Sequence, residues 1–445
     1  DGEALYAGRD MDGSQFARES LGLRFEKTNI TDVIKKVEAS VNYSYNDHVM
    51  DNFSLRTPPM MEMTHGHHTM SMPNPSEMQV TRRTLNSRLA MTSEWNQLSL
   101  MTGIDTQQNH HAGSMKSMMM DMPLATNMKF NSYGAFSELG YQLNDQYKVV
   151  GGARIDQVKI DAIKLNDDRK ETLPSGFIRL EHESAEHQAK SYIGLGYVER
   201  VPDYWELFST AHGNSLPSTM GMSKPTFNDL ETEKTLQLDL GYQHQHGAFN
   251  SWVSAYAGLI NDYILMSYHN HPTMGGHGHG SSFSAGAKNV DAVIAGAEAG
   301  VGYQFTDAIQ ADLSVMYAWG ENSESNDPLP QIAPLEGRFN LRYVQDKYTL
   351  GLLWRAVAQQ DRVSLNQGNI VGYDMGESKG FSTLALNATY HIVDNIDLAL
   401  GIDNVLDKTY TEHLNRAGSS GFGFASNEQF NNTGRNYWAR ISMKF

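Results

Sequence analysis

The feature that most constrains this chain is a recurring segment of about ten to sixteen residues in which apolar and polar side chains alternate. In residues 31–48, Val33, Val37, Ala39, Val41, Tyr43 and Tyr45 fall on one parity. Lys36, Glu38, Ser40, Asn42, Ser44 and Asn46 fall on the other. Successive side chains of a strand point to opposite faces, so a period of two reads as a strand with one apolar and one wet face. Ile309, Leu313, Val315, Tyr317 and Trp319 repeat the pattern against Asp312 and Ser314, and Ile396, Leu398, Leu400 and Ile402 repeat it against Asp397.

The connections alternate as well. Tight turns are predicted near Asn29, Ser93, Asn144, Ala185, Gly247, Thr306, Asp346 and Asp394. The links between them, at 49–77, 111–128, 202–231, 269–283, 321–333, 361–379 and 408–433, are mostly long and polar. Strict short/long alternation implies an up-and-down antiparallel sheet whose two ends face different surroundings. The pattern gives about seventeen strands, and an open sheet that wide leaves two long unpaired edges. An all-β transmembrane barrel resolves both features. Barrels of this kind have an even strand number, yet the carboxyl end here follows a short turn and the amino end starts in long-link parity. An odd number of strands is therefore expected ahead of residue 1. Tyr43, Tyr45, Tyr317, Trp319, Tyr437 and Trp438 lie near strand ends and suit interfacial girdles, although aromatics are also simply good strand formers.

Composition narrows the setting. No run of eighteen apolar residues occurs and no apolar stretch follows a basic amino terminus, so neither a membrane helix nor a retained signal peptide is expected. Of 445 residues, 35 are basic and 51 acidic, a formal charge of -16 that disfavours nucleic acid and favours cations as partners. The lack of cysteine excludes disulfides and thiolate metal sites and is compatible with an oxidising compartment. The 23 methionines are clustered, not spread as core residues would be.

Three clusters mix methionine with histidine. The stretch MMEMTHGHHTMSM contains Met60, Met61, Met63, His65, His67, His68, Met70 and Met72. A second contains His110, His111, Met115, Met118, Met119, Met120 and Met122, and a third contains Met266, His269, His271, Met274, His277 and His279. All three fall in predicted long links at one end of the barrel. Thioether sulfur is a soft, neutral ligand that favours Cu(I), and imidazole suits Cu(II), Zn(II) and Ni(II). Methionine with histidine and no cysteine therefore points to copper ions, Cu(I) or Cu(II), as bound cargo. Thioethers bind without first losing a proton, though sulfoxide formation silences them. The bland readings are core filling for an isolated methionine and a disordered tether for a Gly/His-rich tract. Methionines flanked by Gly, Pro, Ser and Asn in a link have no core to fill.

A more ordered pair lies upstream. Continuing the wet parity from Lys36 through Asn46, the next two positions are His48 and Met50, which places both in the lumen near its outer mouth. A His-x-Met pair on a strand is preorganised in a way that a link is not. A hydrogen-bonded lumen histidine is the equally ordinary reading of His48.

Several stretches resemble the carboxyl-terminal part of TonB-dependent outer-membrane receptors: ERVPDYWELF (199–208), LPQIAPLEGRFNLRY (329–343), GIDNVLDKTYTEHLNRAG (401–418) and the closing GRNYWARISMKF (434–445), which ends on Phe445. The resemblance implies a barrel of twenty-two strands with a plug folded inside it. Residues 1–445 would be the last seventeen strands, with five strands, the plug and the TonB box lying ahead of this sequence. DGSQFARESLGLRFE (12–26), DHVMDNFSLRTPPM (47–60) and the Met/His-rich links resemble the copper-receptor branch. That implies copper import across the outer membrane of a Gram-negative bacterium, contact with outer-membrane lipid, further copper ligands from the plug, and release driven by the inner-membrane TonB complex. A receptor for zinc or for a metal chelate such as a siderophore is the alternative within the class. A soluble methionine-rich periplasmic copper-binding protein is the alternative outside it. No enzyme is expected: GxSxG, a phosphate loop, HExxH and CxxC are all missing, and Glu181, Glu183, Asp203 and Glu206 read as lumen or link-end charges. No organic cofactor is implied.

Overall fold

The computed structural model describes residues 11–444 apart from 59, 66–67, 119–120, 124–126, 187, 208–223, 272–281, 370–371 and 416–428. Its strands are β1 (Asp12–Thr28), β2 (Ile34–Asp51), β3 (Met60–His65), β4 (His68–Pro73), β5 (Ser76–Trp95), β6 (Leu98–Ser117), β7 (Asp121–Pro123), β8 (Met128–Gln142), β9 (Tyr147–Ala162), β10 (Asp167–Ser184) and β11 (Ala189–Arg200). They continue with β12 (Glu233–His246), β13 (Phe249–His271), β14 (Ser282–Gln304), β15 (Ile309–Asn322), β16 (Glu336–Val344), β17 (Tyr348–Val357), β18 (Gln367–Gly368), β19 (Phe381–Val393), β20 (Ile396–Asp403) and β21 (Asn436–Met443). Two short helices, α1 (Tyr204–Leu207) and α2 (Lys224–Asp229), interrupt one link.

Nineteen strands form one sheet, and β3 and β4 form a separate ribbon. Setting aside the three-residue β7 and two-residue β18, seventeen long strands remain, as the alternation predicts. Each pairs antiparallel with the next long strand along the chain, from β1–β2 and β2–β5 through to β20–β21. Every predicted tight turn joins consecutive long strands. Asn29 and Asn96 turn the chain at φ 53° and 48°, in the left-handed region that asparagine tolerates. At the opposite end the links are long, with one exception: only residues 163–166 separate β9 from β10.

The two faces differ as the alternation requires. Register carries one apolar row across the sheet: Leu23 opposite Val41, Ala39 opposite Leu89, Leu89 opposite Ile104, Ile104 opposite Ala135, and Ala135 opposite Ile155. Ile155 is 53% exposed and Ile104 57%, and no described residue covers them. Removing a side chain of this size from water is worth about 1.5–3 kcal/mol, which only lipid can supply to this face. The other face is polar and ion-paired. Arg154 bridges Asp105 at 2.7 Å and Asp156 at 2.5 Å, and Arg88 lies 3.8 Å from both Glu38 and Asp105.

Aromatic rings on the polar face lie over glycines of the neighbouring strand. A Cβ on Gly241 would come within 2.1 Å of the Tyr192 ring, and one on Gly401 within 2.2 Å of Trp438. Trp438 therefore leaves the girdle that the sequence assigns it to. Trp319 keeps its place on the apolar face, where the Arg362 guanidinium lies 5.2 Å above its ring.

The sheet has two free edges among the described residues. Among these, β1 pairs only with β2, and β21 only with β20. Both run from the long-link end to the tight-turn end, so they cannot pair antiparallel with each other.

Candidate metal site

At the long-link end the polar face is partly filled by the chain itself. Met128, Val158, Ile160, Leu173 and Ile264 from the wall pack with Leu207, Phe227 and Leu230 from the 201–232 link. Met128 and Phe227 are fully buried. A hydrogen-bonded frame holds this link down. Arg200 pairs with Glu206 at 2.8 Å and with Glu233 at 2.6 Å. Asp203 accepts the Glu206 amide at 2.9 Å while Glu206 accepts the Asp203 amide at 2.7 Å, a reciprocal capping box on α1. Glu181 pairs with Arg179 and Glu183 with Lys190. The carboxylates that resembled acid/base pairs thus have structural partners.

His48 and Met50 sit where the parity puts them, on the polar face at the outer end of β2. His48 opposes Phe16 on β1 and Val80 on β5, and the Phe16 ring meets its imidazole edge-on at 5.4 Å. Met50 opposes Met78 on β5, Met78 opposes Met115 on β6, and Met115 opposes Met122 on β7. Directly opposed residues have Cβ atoms about 4.5–5.5 Å apart. A methionine rung therefore crosses four strands one step above His48. Met50, Met78 and Met115 are all half-buried.

The strand end bearing this rung is fixed on three sides. Asp12 and Arg56 form a two-point ion pair at 2.6 Å. Asn52 receives the Ser76 amide at 2.8 Å and donates to the Asn74 carbonyl at 3.1 Å. Asp51 accepts the amides of Phe53 at 3.0 Å and Ser54 at 2.7 Å. Burial raises the Asp51 carboxyl, but the hydrogen bonds from Ser14, Ser54 and Phe53 outweigh it and hold the group at about 2.

The described members of the methionine/histidine clusters lie mostly on strands. Met60, Met61, Met63 and His65 lie on β3, with His68, Met70 and Met72 on β4. His110, His111 and Met115 belong to β6 instead of the link after it, because that strand runs on to Ser117. His110 and His111 are adjacent on a strand and so fall on opposite faces, where they cannot share an ion. His111 stacks on Tyr204 at 4.2 Å. Burial there, with Arg82 and His110 beside it, pushes its imidazole down to about 4. Met118 lies just past the strand, 54% exposed. His269 and His271 end β13. Met266, on the same strand, is buried against Tyr268 and Tyr373 and fills a core. His67, Met119, Met120, Met274, His277, His279 and Phe445 lie outside the described residues. No group of three or more His, Asp or Glu is arranged to hold a metal among the described residues. Met78 is the member that sequence reading missed. It stands alone between Pro75 and Gln79, and only register reveals its neighbours.

The family model for TonB dependent receptor-like β-barrels matches residues 1–405. The chain belongs to the TonB-dependent receptor family. Its members lie in the outer membrane of Gram-negative bacteria, the setting that the uncovered apolar row requires. In this receptor the polar face lines the lumen and the long links lie at the outer mouth.

Among solved structures, the copper transporter OprC is 42% identical over 99% of this chain and 67% of its own, with a TM-score of 0.86. The FrpB iron transporter of Neisseria meningitidis aligns with a TM-score of 0.67 at 15% identity, a likeness that shows the fold alone. The ferrienterobactin receptor of Escherichia coli K12 is 21% identical over 384 residues. The chain spans 49% of that relative's length.

Proposed function

We propose that this receptor captures copper ions at its outer mouth for import, with His48 and Met50 as wall ligands and Met78 and Met115 extending the same row. The observation that carries the reading is the rung itself. Three thioethers on adjacent strands, beside an imidazole on a pinned strand end, form a soft-donor surface that favours Cu(I) over zinc. The 42% identity to a copper transporter along almost the whole chain supports it. Two strand residues do not complete a copper site, so ligands from a plug inside the barrel are part of the proposal. Inward release is assigned to the inner-membrane TonB complex, with the proton gradient as energy source. No organic cofactor takes part.

Titrating the receptor separately with Cu(I), Cu(II), Zn(II) and a ferric chelate, and counting bound metal by native mass spectrometry, tests the cargo. Preferential retention of Cu(I), reduced in the His48→Ala, Met50→Ala double variant, is the expected result. Tighter retention of zinc or of the chelate, or a double variant that binds copper like the parent, overturns it.

A further inference from the structure

The β3–β4 ribbon pairs Met61 with Met72, Met63 with Met70 and His65 with His68. Alternate positions of a strand share a face, so 61, 63, 65, 68, 70 and 72 lie on one face of the ribbon. Met60, Glu62 and Thr64 lie on the other with Thr69, Ser71 and Pro73. Six of the seven methionine and histidine positions of the ribbon are thereby on one face, and Met60 alone is on the opposite one. The sequence has the symmetry this demands. Met-Glu-Met-Thr-His on β3 is mirrored by His-Thr-Met-Ser-Met on β4. Antiparallel pairing brings like opposite like only when the two arms read as reversed copies. A low-complexity tether has no need of that order.

We infer that the ribbon is a ladder of paired donors in which Met61 with Met72, and Met63 with Met70, each hold one Cu(I) between two thioethers, while the His65 and His68 positions at the far end take a borderline divalent ion such as Cu(II). This deepens the copper reading above and rests on it. Two metal–sulfur bonds of about 2.3 Å place the sulfurs of a linear pair about 4.6 Å apart. Directly paired residues start from Cβ atoms about 4.5–5.5 Å apart, and methionine is flexible enough to close on an ion from there. Imidazole at one end and thioether at the other grade the face from borderline to soft donors. The ribbon therefore sorts copper by oxidation state along its length.

A composition-neutral exchange tests pairing against mere richness in sulfur. In the full chain purified in detergent and titrated with Cu(I) under ascorbate, Met61→Glu combined with Glu62→Met keeps every donor but moves one to the wrong face. It is expected to lose one Cu(I) equivalent. Leucine at 61, 63, 70 and 72 together is expected to lose two, Met60→Leu none, and X-ray absorption of the loaded ribbon should show two sulfur neighbours per copper. An exchange variant that binds like the parent, or a Met60→Leu loss equal to that of Met61→Leu, overturns the ladder. If copper still depends on His48 and Met50 in that case, the mouth site stands without it. If no variant at either place alters copper binding, both readings fall.

Discussion

Met50 and Met78 stand directly opposite each other on β2 and β5, and Met78 in turn opposes Met115 on β6. Met78 is thus the residue through which Met50 is linked to the rest of the thioether row. Met78→Leu keeps the volume and removes the sulfur, a swap that cores tolerate. The expected outcome is unchanged folding with Cu(I) affinity lowered about tenfold, roughly 1.4 kcal/mol, and little change for Zn(II). Competition against a colorimetric Cu(I) chelator measures it. Equal affinities in the variant and the parent would remove Met78 from the site.

Asp51 makes the attachment of the first outer link dependent on pH. Its carboxyl sits at about 2 in the folded chain, below the ordinary 3.8. A group depressed by folding stabilises the folded form most fully above its unfolded value, and the contribution is lost as pH falls through the folded one. The window is therefore acidic, between about pH 4 and pH 2. Pepsin cleavage within 52–58 should rise as pH falls through that window. In Asp51→Ala, cleavage at about pH 4 should already match that of the parent at about pH 2. A variant that still acquires its sensitivity across the window would place the switch elsewhere.

Arg200 holds Glu206 and Glu233 together beneath the link that carries α1 and α2. The carboxylates are mostly buried, at 10% and 13% exposure, and the guanidinium is 42% exposed. Arg200→Ala leaves two neighbouring carboxylates without their shared cation, which in a half-wet setting costs about 2 kcal/mol. The loss should be local. Chymotrypsin is expected to cut within 202–231, which holds Tyr204, Trp205, Phe208 and Phe227, faster than in the parent, while the melting of the sheet barely moves. A global loss of stability, or no change in cutting, would contradict that placement.

Sequence legibility follows the range of the interactions involved. Alternation and turn chemistry are local, so strand number, turn positions and the inward parity of His48 and Met50 could be read directly. Strand length beyond the membrane is set by neighbours. β6 stays paired with β5 as far as Ser117, which moved His110, His111 and Met115 from a link onto a wall and placed the two histidines on opposite faces. Register is likewise invisible in a single strand. Met78 looks like an isolated methionine until β2 and β6 are laid beside it, and Trp438 looks like a girdle residue until Gly401 makes room for its ring on the polar face.

The two edge strands give the last prediction. β1 and β21 run in the same direction, each with one side unpaired among the described residues. Antiparallel closure between them requires an odd number of intervening strands, since each added strand reverses direction. Unpaired backbone groups are costly in lipid, which has no water to satisfy them. Leu21, Leu23 and Phe25 along β1 also remain 63%, 64% and 57% exposed. Residues 1–445 expressed alone should therefore migrate in detergent gels without the heat-dependent shift of a closed barrel, and should aggregate through these edges. Coexpression with a segment supplying an odd number of strands should restore the shift. A heat-resistant, fast-migrating form from residues 1–445 alone would show that the sheet closes by another route.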